Sequence, residues 1–253
     1  MSLLDGMLGC WSPSVTGSGY LLPDLSGRNN HGTLENMDAA DWLGASIRGR
    51  SSKVLSYNNA SVEKKVTIGA SLPNLAGSPE LTFTMWARRR AANAIANIGQ
   101  VNSSRSVYLN IVAWSTGVIY FQAYPQYVVF ADNETGWKFW AMTLKGSVLR
   151  GYRDGGLVTS GAGPAAVPSV VGDFVIGPYP PISQKANSDI GEVAVWQKAL
   201  SPAEISELNQ QGNGAIGRRL TGRTRRVYSI PSGVIVYGQR IPRHRTILGG
   251  GLR

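Results

Sequence analysis

A single cysteine, Cys10, occurs in 253 residues, so no internal disulfide can form and nothing points to a small domain stapled by bridges. No apolar run approaches the roughly 20 residues that span a bilayer, and no membrane partner is expected. Met1 to Trp11 has neither a basic start nor a continuous apolar stretch, which predicts no signal peptide and synthesis in a reducing cytoplasm. There are only two histidines, His31 and His244, and neither has a nucleophile in a recognisable setting. Zinc-type Cys/His spacing is missing, as is a phosphate-binding glycine loop ahead of a helix. Also missing is the run of acids at alternate strand positions that would aim two carboxylates at one sugar ring. Asp132 and Glu134 stand two apart in a loop. Asp189 and Glu192 stand three apart, which on a regular strand puts them on opposite faces. These absences predict a protein that is not an enzyme.

Charge is scarce and unevenly placed. Charged residues make up 16% of the chain, while glycine (31) and proline (13) are plentiful, a mixture that suits short strands and tight turns. From residue 218 onward there are nine arginines (Arg218, Arg219, Arg223, Arg225, Arg226, Arg240, Arg243, Arg245 and Arg253), with no lysine and no acid. Subtracting these from the 25 basic residues leaves 16 against 15 acids in residues 1–217, so the body is nearly neutral and the C-terminal arm carries the charge.

Strand-like alternation recurs along the body. Thr82 to Arg88 puts Phe83, Met85 and Ala87 on one face and Thr82, Thr84, Trp86 and Arg88 on the other. Cys10 and Trp11 read as part of a first strand. Val107–Val112, Val118–Ala123, Tyr127–Phe130, Trp137–Leu144, Val148–Tyr152, Phe174–Ile176 and Ile190–Trp196 read as further short strands, with Asp154-Gly155 suited to a type I′ turn. One helix is predicted over Pro202–Gln211: Ser201 at the N-cap, proline at the first position, Glu204 closing a capping box, and Leu200 with Ile205 as a staple. Ile205 and Leu208 are spaced to dock on a sheet. The composition changes after Gly212, which predicts two parts: a sandwich over residues 1–217 and an arginine-rich arm over 218–253. Within the arm, Val227–Ile230 and Val234–Tyr237 have strand character.

Four segments then resemble one family in order. Asp24-Leu25-Ser26-Gly27-Arg28-Asn29-Asn30-His31-Gly32-Thr33-Leu34 resembles the opening signature of laminin-G-like, concanavalin A-like jelly-roll domains. Trp137 to Thr143, Leu149 to Gly155 and Gly191 to Ile205 resemble that family's later strand, hairpin and closing motifs. The resemblance implies an all-β fold, a two-sheet antiparallel jelly-roll sandwich, in agreement with the alternation.

Candidate sites follow. Asp24 with Asn29 or Asn30 offers hard oxygen ligands in a turn, and the resemblance brings Glu192 or Asp189 of the closing motif near it, which would suit a structural Ca²⁺. Alternatively Asp24, Ser26 and Asn30 hydrogen-bond their own turn. Tyr124, Tyr127 and Tyr179 sit in proline-bounded loops where a flat ring could stack on a pyranose, or serve protein contacts instead. Trp86, Trp140 and Trp196 read as core. Arg218, Arg219, Arg223, Arg225, Arg226, Arg240, Arg243 and Arg245 would meet a protein assembly or, through salt-sensitive contacts, nucleic acid. Together these features predict a structural or interaction protein of a larger assembly, a phage virion component such as a capsid decoration or tail and fibre protein, homo-oligomeric and docked by its arm. The alternative is a carbohydrate-binding adhesion module; a glycoside hydrolase is disfavoured by the missing carboxylates.

Overall fold

The computed structural model describes residues 3–16, 19–57, 64–68, 72, 75–91, 96–101, 108–113, 117–168, 173–177 and 187–227. In chain order the elements are β1 (Met7–Trp11), α1 (Pro13–Thr16), β2 (Leu21–Leu22), β3 (Gly32–Glu35), β4 (Trp42–Ile47), β5 (Arg50–Tyr57), β6 (Lys65–Thr67), β7 (Glu80–Arg89) and β8 (Ala96–Val101). They continue with β9 (Tyr108–Ala113), β10 (Val118–Ala123), β11 (Gln126–Ala131), β12 (Trp137–Lys145), β13 (Val148–Arg153), β14 (Gly156–Ala162), β15 (Phe174–Ile176), β16 (Ser188–Trp196), α2 (Pro202–Gln211) and α3 (Ala215–Val227). A first sheet of eight strands runs β14-β13-β12-β7-β16-β5-β4, with β1 also on β16, and a second sheet of eight runs β11-β10-β9-β8-β15-β6-β3-β2. Every ladder is antiparallel. This is the jelly-roll sandwich expected.

Alternation along the strands builds two apolar layers. Phe83, Met85 and Ala87 of β7 face the inter-sheet core with Trp11, Phe121, Trp140 and Phe174. Trp86, Phe139, Ala194 and Trp196 face the other way and are roofed by Leu200, Ile205, Leu208 and Ile216. The first sheet therefore has apolar side chains on both faces, and α2 and α3 keep water off its outer one. Helix α2 starts on the expected capping box, with Ser201 and Glu204 each bonding the other's backbone. The Asp154-Gly155 turn has both residues at positive φ, 51° and 85°. Arg48-Gly49, joining β4 to β5, does the same at 51° and 74°, although the sequence shows no Asn-Gly or Asp-Gly there. The Arg48 side chain bonds the Asn209 carbonyl at 2.9 Å and lies 5.0 Å over the Trp86 ring, so tertiary contacts hold the turn.

Three expectations need correction. The ladder of β16 slips between Ile190 and Val193. Ile190 and Val193 both face the inter-sheet core, and the extra residue turns Glu192 outward, on the same side as Asp189 rather than opposite it. Second, the boundary at residues 217 and 218 falls inside α3. Ile216 and Leu220, one turn apart, pack on the outer apolar layer. At Gly217 a Cβ would come within 2.9 Å of Leu25 and Ser12 side-chain atoms, so helix and sandwich are in close contact there. Third, Val227 ends a helix instead of starting a strand. The remaining arm, with the expected strand Val234–Tyr237, lies outside the described residues.

Candidate functional site

The Asp24 turn is closed on itself. Asp24 Oδ1 accepts the amides of Cys10 (3.0 Å) and Ser26 (2.9 Å), and Oδ2 accepts the Ser26 hydroxyl (2.7 Å) and the Asn30 amide (3.1 Å). The Asn30 side chain donates to the Leu8 carbonyl at 2.9 Å, its own carbonyl accepts from Trp11 Nε1 at 2.7 Å, and His31 Nδ1 accepts the Asp24 amide at 3.0 Å. Asn29 serves through its backbone, at φ 62°. Glu192 is buried beneath α3, its two oxygens accepting the Ile216 amide (3.2 Å) and the Gly217 amide (2.8 Å). Burial pushes its carboxyl up to about 7, against the opposing pull of those amides, the Ser12 hydroxyl and Arg218. With four protein donors on Asp24 and the helix amides on Glu192, these residues fit a turn clasp and a helix cap, not a calcium site. Among the described residues no three acidic, cysteine or histidine side chains gather as metal ligands.

The other carboxylates named above are tied to cations. Lys138 and Arg153 hold the exposed Glu134 down at about 2, so it keeps no proton for acid catalysis at neutral pH. Arg89, buried between the sheets, donates to the Asp132 and Glu134 carbonyls and clamps the loop from β11 to β12. Asp189 is fully buried and is shared by Arg88 and Arg90.

The hairpin β10–β11 is different. Its six residue pairs run without a slip, from Val118 opposite Ala131 to Ala123 opposite Gln126. Phe121 and Ala123 turn inward, while Tyr120 and Gln122 turn outward beside Val129 and Tyr127. Tyr124 at the tip is 42% exposed, Tyr127 59% and Val129 43%. The Tyr120 and Tyr127 rings lie 5.7 Å apart, centre to centre. The face is aromatic and open, with the Gln122 amide beside it.

A model of the family described as "Concanavalin A-like lectin/glucanases superfamily" matches residues 60–206, more than half of the chain. The chain belongs to this superfamily. The three later motifs quoted above fall within the matched segment; the Asp24 turn lies before it. No curated protein matches the chain. Solved structures match in fold. The receptor binding domain of botulinum neurotoxin D aligns at 15% identity and TM-score 0.62, over 83% of this chain and 53% of that one. The serotype D ligand binding domain in complex with N-acetylneuraminic acid aligns at 16% and 0.60, over 83% and 52%. A Trypanosoma rangeli sialidase in complex with sialic acid aligns at 13% and 0.60, over 81% and 33%. This superfamily member thus spans about half or less of those chains.

Of the expected sugar contacts, Tyr124 and Tyr127 come together on the hairpin, and Tyr179 lies outside the described residues. Tyr120 and Gln122 were not legible as candidates because they sit inside a strand; the signal that could have found them is the period of two that aligns them with Tyr127 and Val129. Of the arm, exposed Arg218 bonds the Asn213 carbonyl at 3.1 Å and Arg219 pairs with Glu207 at 2.8 Å. Arg223, Arg225 and Arg226 belong to the α3 backbone, and Arg240, Arg243 and Arg245 lie outside the described residues.

Proposed function

We propose that the sandwich is a non-enzymatic glycan-binding module and that the outer face of the β10–β11 hairpin is its sugar platform. The observation that carries this is the open tyrosine cluster: Tyr127 and Tyr124 exposed, Tyr120 packed against Tyr127, and an amide at Gln122 on the same face. A rigid phenol ring loses little entropy on contact, offers a flat apolar surface to the C–H face of a pyranose, and carries a hydroxyl for its polar edge. The named binding domains of similar fold, one of them with N-acetylneuraminic acid, speak in the same direction. An adhesion role therefore stands ahead of the particle component, which rests on the arginine-rich arm. The non-enzymatic part is supported by Asp24, Asp132, Glu134, Asp189 and Glu192, each bound to cations or backbone amides.

The test is a screen of the full chain against immobilised neutral and acidic glycans, followed by titration of the best one into wild type, Tyr127→Ala and Tyr124→Ala. Tyr127→Ala should weaken binding at least about tenfold, equivalent to roughly 1.4 kcal/mol, with the melting curve unchanged. A screen that retains no glycan, or a Tyr127→Ala protein that binds as wild type, would sink the proposal.

A further inference from the structure

The outer face of the first sheet carries a second cluster, remote from the tyrosines. Ser56 of β5, Asp189 of β16, Arg88 of β7 and Trp137 of β12 form one row in register across four neighbouring strands. Arg90 follows two residues after Arg88 and folds back onto the same carboxylate. Asp189 Oδ2 accepts Arg88 Nε at 2.9 Å, Arg88 Nη2 and Arg90 Nε at 3.3 Å, while Oδ1 accepts Arg90 Nη2 at 2.6 Å; that Nη2 also donates to Ser56 Oγ at 2.7 Å. Arg88 stacks over Trp137, 5.4 Å from the ring centre.

Two features exceed what fold stability requires. One carboxylate neutralises only one of two guanidiniums, so a full positive charge is fixed at a surface where the arginine side chains remain 38% and 29% exposed. In addition, among the described residues the Nη1 groups of both arginines have no acceptor, and neither does the enclosed Trp137 Nε1. Among the described residues the corner holds more donors than acceptors, oriented by a buried anion and an indole. Guanidinium pairs pre-set in this way suit a planar or tetrahedral oxyanion, because its oxygens accept paired N–H groups with charge assistance.

We propose that Arg88 and Arg90 form a subsite for one oxyanion, a carboxylate or sulfate, carried on an acidic sugar. That the anion is borne by a sugar rests on the glycan-binding reading; the subsite itself does not. Galactose 6-sulfate, glucuronic acid, galactose and inorganic sulfate are titrated separately into the full chain, following the indole N–H resonance of Trp137, assigned by its loss in Trp137→Phe. The acidic sugars should give a saturable shift and galactose none. Arg88→Gln and Arg90→Gln each leave Asp189 one guanidinium and should weaken the acidic sugars about tenfold or more; Asp189→Asn, which removes the competing anion, should strengthen them if it folds. Tyr127→Ala should leave this response intact, which separates the subsite from the tyrosine platform. Inorganic sulfate binding as tightly as the sugar sulfate would support the anion subsite and refute its assignment to a sugar. No shift with any anion, or a shift that neither arginine substitution alters, would overturn the proposal.

Discussion

The Asp24 turn and the β10–β11 hairpin both gather side chains suited to a ligand, and they differ in where those groups point. At Asp24 every carboxylate oxygen receives two protein donors, and the turn ties the amide of Cys10 in β1 to the loop that follows. On the hairpin the rings of Tyr124 and Tyr127 face solvent. The residues of the recognisable motif thus hold the fold, and the best ligand candidates lie on a strand face that no motif marks. Resemblance to a signature locates the scaffold more readily than the site.

The comparison can be broken most forcefully at Asp24. Asp24→Ala leaves the buried Cys10 amide without its acceptor and removes four hydrogen bonds, so stability should fall on the order of 3 kcal/mol in urea titration. Glycan binding by the fraction still folded should be unchanged. Chelator or added calcium should leave the wild-type melting temperature where it was; a calcium-dependent rise would mean the turn is a metal site after all.

Next in size is Glu192. Its native carboxyl titrates near 7, above the ordinary 4.5, so the folded chain keeps a proton that the unfolded chain has already released. The stabilisation is full below the unfolded value and is lost as pH rises through about 7. Between pH 5 and 8 the wild type should lose roughly 2 kcal/mol from this group. Glu192→Gln should flatten that slope, and an unaltered slope in the variant would refute the assignment. Tyr127→Ala reverses the pattern at Asp24, with binding down at least about tenfold and stability moved by less than about 0.5 kcal/mol. The smallest effect belongs to the exposed Arg219–Glu207 pair, where Arg219→Gln should shift stability by under about 0.5 kcal/mol and vanish from detection at high salt.

Much of the architecture was legible because local signals and the final fold agree. Ser201, Pro202 and Glu204 mark the start of α2, Asp154-Gly155 marks a turn, and the period of two in β7 marks which side chains are inside. What was hidden depends on contacts distant in sequence. Arg48 takes a left-handed turn because Asn209 and Trp86 hold its side chain. Helix α3 reads as a loose basic arm until Ile216 and Leu220 find the outer apolar layer and Glu192 meets its first amides. Tyr124 and Tyr127 were legible beside proline at a turn; Arg88 and Arg90 were not, since only strand pairing brings both to Asp189.

The slipped residue in β16 has a consequence for length variation in this chain. From Asp189 to Val193 the count of residues sets which side of the sheet receives each side chain. Held in a regular pleat with no slip, the same residues would turn Glu192 inward, among the aromatic and aliphatic side chains between the sheets, and Val193 outward, while α3 lost its anchoring carboxylate. A regular strand of the same length would therefore misassemble the molecule at two levels at once, whereas most single substitutions in the same stretch would disturb only one. We expect variants of this fold that retain α3 either to keep the slip or to drop one residue between Ile190 and Glu192, since both leave that carboxylate facing outward.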